Sequence, residues 1–118
     1  MKILVVDDYA TMRRIVRNLL KELGYSNVDE AEDGAMALTK LKNEQFDFVI
    51  SDWNMPEMTG IECLRALRAQ GSTVPFGFVT SEGSPEMRDT AAEAGALFLI
   101  AKPFTADTFR DALDPVLT

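Results

Sequence analysis

The apolar positions of the chain change period in a regular way. Ile3 to Val6 is an unbroken run rich in β-branched residues, the pattern of a strand buried on both faces. Over residues 10–23 the spacing becomes helical: Met12, Ile15, Val16, Leu19, Leu20 and Leu23 share one stripe, while Arg13, Arg14, Arg17 and Lys21 fall on the other side as a solvated face. Gly24 stops this helix. The alternation then repeats. Val28 to Ala31 predicts strand two, and Asp33-Gly34 opens a helix with Met36, Leu38 and Leu41 among its apolar positions. Phe46 to Ser51 predicts strand three, and Thr59-Gly60-Ile61-Glu62 has the spacing of a capping box that starts a helix carrying Ile61, Leu64 and Leu67. Pro75 to Thr80 predicts strand four, followed by Ser84-Pro85-Glu86, an N-cap with proline at the first helical position. Leu97 to Ala101 predicts strand five, and Thr105 caps a last helix that turns Phe109, Ala112, Leu113 and Val116 inward.

Five strands alternating with five helices call for a parallel sheet with helices on both faces, a doubly wound α/β fold, because right-handed crossovers leave little else. Gly77 stands out inside strand four, where glycine weakens a strand and marks a close approach of backbone or helix. At 118 residues, with no repeats, low-complexity tracts or linkers, the chain reads as one domain spanning residues 1–118 with nothing attached.

Charge and composition narrow the function. Twelve basic residues against nineteen acidic ones give a net charge of −7, which nucleic-acid phosphates repel. No apolar run approaches the length of a bilayer span, and Met1-Lys2 leads straight into strand one without the core of a signal peptide, so a cytoplasmic protein is expected. With one cysteine, Cys63, and no histidine, an internal disulfide, a zinc site and a histidine-dependent triad are all excluded. Nothing cationic adjoins Cys63 in sequence, so it is expected to be a small buried or half-buried helix residue. Met12, Met36 and Met87 are read as core filler, Met55 and Met58 as packing of the loop around Pro56, and Trp53 as half-exposed.

Ligands of open α/β sheets bind outside the carboxyl ends of the strands. Strand one ends in Asp7-Asp8, strand three in Asp52-Trp53-Asn54, strand four in Thr80-Ser81 and strand five in Lys102-Pro103. Three carboxylates converging on one rim repel each other unless a cation lies among them. A hard divalent ion, Mg2+, suits such oxygen ligands and leaves room for water and phosphate. Lys102 offers a point charge to a phosphate oxygen and Thr80 a hydroxyl donor. There is no G-x-x-x-x-G-K-[ST] and no glycine-rich turn after strand one, which disfavours a bound nucleotide or flavin phosphate.

The set Asp7-Asp8, Asp52, Thr80 and Lys102-Pro103-Phe104 resembles the receiver domain of two-component response regulators, and Asp52-Trp53-Asn54-Met55-Pro56 is similar to its single-domain chemotaxis subclass. The resemblance covers essentially the whole chain and implies the flavodoxin-like (βα)5 strand order 2-1-3-4-5, which periodicity alone does not give. It also implies that Asp52 accepts a phosphoryl group from a histidine kinase or a small phosphodonor, with Asp8, Asp52 and the backbone carbonyl of Asn54 holding Mg2+ and Asp7 assisting through water. Lys102 and Thr80 would then meet the phosphoryl oxygens. Asn54 and Glu82, each two residues beyond a key position, would tune how fast water removes the group, and the Lys102-Pro103 bond is expected to be cis. Leu99 departs from the family, which usually carries tyrosine or phenylalanine there as a rotating readout of the threonine. Phe98 cannot simply replace it, because neighbouring strand residues face opposite sides of the sheet.

The implied function is a phosphorylation-controlled switch, a phosphoacceptor with its own phosphorylation and dephosphorylation chemistry rather than an enzyme acting on other molecules. A monomer would signal by binding a protein target through helix 4, strand 5 and helix 5, including Phe98 and Leu99. Two other classes compete. A magnesium-dependent aspartyl phosphatase acting on small molecules would want D-x-D after strand one and a cap domain, where this chain has adjacent aspartates and no spare length. A receiver-like module that works without phosphorylation tends to lose an acidic or lysine position, and none is lost here.

Overall fold

A computed structural model describes residues 1–117; Thr118, the last residue of the expected domain, lies outside the described residues. The elements follow the predicted order: β1 (Ile3–Val6), α1 (Ala10–Glu22), β2 (Val28–Ala31), α2 (Gly34–Asn43), β3 (Phe48–Ser51), α3 (Gly60–Ala69), β4 (Phe76–Thr80), α4 (Pro85–Glu93), β5 (Leu99–Ala101) and α5 (Ala106–Leu117). All strand pairs are parallel and the sheet runs β2-β1-β3-β4-β5. Ile3 pairs with both Val28 and Phe48, and Ser51 with Phe78, so the strands finish together along one carboxyl edge.

Alternation along each strand builds two cores. Leu4, Val6, Val49, Phe76, Phe78 and Leu99 pack with Ala37 of α2, Leu64 and Leu67 of α3 and Ala91 of α4. Ile3, Val5, Phe48, Ile50, Val79 and Ile100 pack with Val16 and Leu20 of α1 and Phe109 and Leu113 of α5. Residues with long apolar side chains on both faces explain why β1, β3 and β4 read as continuous hydrophobic runs.

The caps predicted at Thr59, Ser84 and Thr105 form, and Asp33 adds one that the sequence reading did not name. Thr59 and Glu62 exchange the two bonds of a capping box, from Thr59 N to Glu62 Oε1 at 2.9 Å and from Glu62 N to Thr59 Oγ1 at 3.3 Å. Asp33 accepts from the Met36 amide, Ser84 from Met87 and Thr105 from Thr108, each satisfying an otherwise orphaned helix donor.

Some expectations need correction. Strands three, four and five begin later than predicted, at Phe48, Phe76 and Leu99; Leu97 is exposed and only leads into the pairing through its amide on Phe76 O. Ile15 is 42% and Met36 40% exposed, so neither belongs to the core. On α1 the sheet covers only Val16 and Leu20, flanked by Met12, Leu19 and Leu23, because a helix lying on a sheet buries a narrower stripe than its apolar pattern suggests. Arg13 leaves the solvated face, its side chain only 12% exposed, and with Arg17 pairs to Glu30 of β2. Leu117, absent from the inward set of α5, is buried at its end and accepts a bond from the Tyr25 hydroxyl.

The glycine in β4 has a structural reason. The Phe98 ring lies across Gly77, where a Cβ would come within 2.2 Å of its Cζ, and stacks on Phe48 of β3 at 5.9 Å and 13°. Phe98 thus joins the α1/α5 core while Leu99 joins the other, on opposite faces as the strand pleat requires.

Candidate functional site

The carboxyl edge of the sheet gathers the predicted chemistry. Asp7 and Asp8 leave β1, Asp52 leaves β3, Thr80 ends β4 and Lys102 leaves β5. Asp7, Asp8 and Asp52 each bring a carboxylate oxygen within 4.8 Å of the others. Lys102 Nζ stands between two of them, 3.2 Å from Asp7 Oδ2 and 3.4 Å from Asp52 Oδ2.

Backbone bonds fix the two inner carboxylates. Asp7 Oδ1 accepts from the Tyr9 amide at 2.9 Å and Asp52 Oδ1 from the Trp53 amide at 2.7 Å. The Asp52 amide donates to Val6 O and the Lys102 amide to Thr80 O, so neighbouring strand ends are tied across the rim. Asp7 and Asp52 are only 3% and 6% exposed, whereas Asp8 faces solvent. Burial pushes the carboxyls of Asp7 and Asp52 above their usual range. Asp8 adds repulsion to Asp7, and Asp7 to Asp52, while Lys102 and the backbone amides oppose the rise. Against three carboxylates stands the ammonium of Lys102, paired with two of them, an imbalance that a hard cation with oxygen ligands would relieve. The donor set therefore fits Mg2+.

The remaining expected residues are more dispersed. Thr80 is fully buried, its hydroxyl accepting from the Glu82 amide at 3.3 Å, while the Glu82 and Asn54 side chains are exposed on their loops. Lys102-Pro103 is cis, as expected. Trp53 is half-buried beside Asp52, its ring 4.9 Å from that of Phe78, and Met55 is buried in the loop. Cys63 is fully buried and burial pushes its thiol up to about 11, which leaves it inert.

Two contributors were not visible in sequence. Gly60 opens α3 against the acceptor loop: a Cβ there would fall 2.2 Å from the Asp52 carbonyl oxygen and 2.8 Å from the Phe78 ring. Its amide donates to Trp53 O at 2.8 Å, so the glycine lets α3 seat directly on the backbone that carries Asp52. Gly60 appeared only as a member of the capping box. Arg13 reaches the rim through the Asp7 carbonyl, and its place within a basic stripe concealed that contact.

Comparison with known proteins agrees with this arrangement. The family described as response regulator receiver domain matches residues 3–114. A chemotaxis protein CheY-3 of Vibrio cholerae serotype O1 is 50% identical over 98% of this chain and 91% of its own length. A chemotaxis protein CheY of Pseudomonas aeruginosa is 47% identical over 98% and 95%. Among solved structures, the Vibrio cholerae chemotaxis protein CheY4 superposes with a TM-score of 0.88 at 40% identity, covering 98% of both chains. The receiver domain of the Francisella response regulator 1452 gives 0.88 at 27% identity, covering 97% of this chain and 93% of its own.

Proposed function

Because the chain belongs to the response regulator receiver domain family, we propose that it is a magnesium-dependent phosphorylation switch with Asp52 as the phosphoacceptor. The observation that carries this reading is the rim itself, where Lys102 stands between Asp7 and Asp52 and three carboxylates crowd within 4.8 Å. Asp8, Asp52 and the Asn54 carbonyl would hold the ion, with Asp7 acting through water. When bound, the ion neutralises charge on the transferring oxygens. The Asp52 carboxylate, steadied by the Trp53 amide, attacks phosphorus; a P–O bond forms to Asp52 while the donor's P–N or P–O bond breaks and its electron pair leaves with the donor. Lys102 offers its charge to the phosphoryl oxygens, and Thr80 turns its hydroxyl toward them, exchanging the Glu82 amide for the new partner. Asn54 and Glu82 flank the path of the water that later removes the group.

A histidine kinase would supply the phosphoryl group, and a protein target would read the changed surface of α4, β5 and α5. Chemotaxis leads among pathways because the curated relatives carry that name. The readout differs from the usual aromatic rotation, since Leu99 has no ring and Phe98 is held over Gly77 in the opposite core.

Acetyl phosphate with and without Mg2+, followed by intact mass and by the fluorescence of Trp53, tests the proposal. One phosphoryl group should appear only with Mg2+ and vanish in Asp52→Asn. Absence of any mass gain in the native chain would replace this reading with a binding module that works without phosphorylation.

A further inference from the structure

Asp7 is held from four sides. Its amide donates to Ala31 O at 3.1 Å, its Oδ1 accepts from Tyr9 N and its Oδ2 from Lys102. The fourth partner belongs to α1: Arg13 Nη1 donates to the Asp7 carbonyl at 2.7 Å. This carbonyl lies beyond the last residue of β1, where the strand ladder no longer supplies donors. The same guanidinium donates through Nε to Glu30 Oε1 at 2.8 Å, and Glu30 also receives Arg17, which itself reaches Val28 O. Glu30 sits within β2, so the brace is anchored in the sheet.

The clamped peptide unit is the one that launches Asp8. Asp8 is exposed, and the plane of the Asp7–Asp8 peptide fixes where its amide and Cα stand, the base from which its side chain reaches the rim. Resting on the proposed magnesium-dependent switch, we propose that Arg13 is a positioning residue for the metal step: its fork fixes the Asp7 carbonyl, and so the aim of Asp8, while Glu30 and Arg17 hold the fork in place. Planar geometry with several donors lets one arginine serve a carbonyl and a carboxylate together, which a lysine ammonium on a flexible stem does poorly.

Charge makes the proposal separable from simple electrostatics. Arg13 is a cation near an anionic site, so removing it for charge alone should tighten a divalent cation. Loss of positioning should instead weaken it, by about 10-fold or more, the usual scale for removing a partner that orients a ligand. The test is a Mg2+ titration of Trp53 fluorescence in the full chain, with Arg13→Ala, Arg13→Lys and Arg14→Ala, together with hydrogen exchange of the Tyr9 amide in metal-free protein. Arg14 is exposed on the same helix and controls for the lost charge.

Arg13→Ala should bind Mg2+ at least tenfold more weakly and exchange the Tyr9 amide faster, Arg13→Lys should fall between, and Arg14→Ala should bind as well as the native chain or slightly better. Unchanged or tighter Mg2+ binding in Arg13→Ala, with unchanged Tyr9 exchange, would overturn the positioning role while leaving the switch intact. A native chain that binds no Mg2+ would overturn the switch and this metal role together. Tyr9 exchange would then still report whether Arg13 orders the loop.

Discussion

The two ends of the sheet handle charge in opposite ways. At the amino end, ionic groups pair off near solvent: Lys2 Nζ meets Glu44 at 3.0 Å, the Lys2 amide donates to Asp47 at 2.7 Å, and Arg68 caps the carbonyls of Ser72 and Val74. At the carboxyl end, two carboxylates are buried beside a third with one lysine among them. The first arrangement contributes little and costs little. The second buries carboxylate charge in the metal-free fold, with repulsion among the carboxylates adding to the cost of burial, and that cost is what a bound cation would relieve.

Breaking the seat of the carboxyl end should have the largest effect. Gly60→Ala drives a Cβ against the Asp52 carbonyl, an obstacle that is backbone and not a flexible side chain, and should destabilise by about 3 kcal/mol in urea unfolding. Phe98→Ala acts between the two ends by uncovering Gly77 and unstacking Phe48; with the ring half-buried, a loss of about 2 kcal/mol is expected, below the 3–5 of a fully buried phenylalanine.

Asp52→Asn should do the reverse and stabilise the metal-free protein at neutral pH, by less than either loss above, because it removes a buried carboxylate whose charged form the folded site disfavours. The sign follows from the protons. Asp7 and Asp52 titrate near 3.8 when unfolded and higher when folded, so the folded state binds more protons in that window. Their contribution is fullest below 3.8 and is lost as pH rises through the folded values. A stability profile of Asp52→Asn should therefore fall less over this range than that of the native chain.

The smallest effect belongs to the amino end. Glu44→Gln should change stability by no more than about 0.5 kcal/mol, and added salt should erase even that.

Much of this was legible in the sequence because strand ends, caps and chemistry-bearing residues are local. Ile3 to Val6 followed by Asp7-Asp8 declares both a buried strand and what stands at its mouth. The capping residues Thr59 and Ser84 announce their helices in the same way. What the sequence hid depends on contacts across the fold. Ile15 and Met36 match a helical stripe, but its buried width is set by the sheet beneath. Gly77 looked anomalous until Phe98, twenty-one positions later, filled its space. Arg13 looked like a member of a solvated row because its partners, Glu30 within β2 and the Asp7 carbonyl beyond β1, come from two different strands.

The central claim is that the rim holds buried carboxylate charge that a cation completes. Urea unfolding of the native chain at pH 7.5, with and without Mg2+, tests it most directly. Saturating Mg2+ at about a hundred times its dissociation constant should add roughly 2.7 kcal/mol, and Asp52→Asn should lose most of that gain. Identical unfolding curves for the native chain with and without Mg2+ would contradict the account.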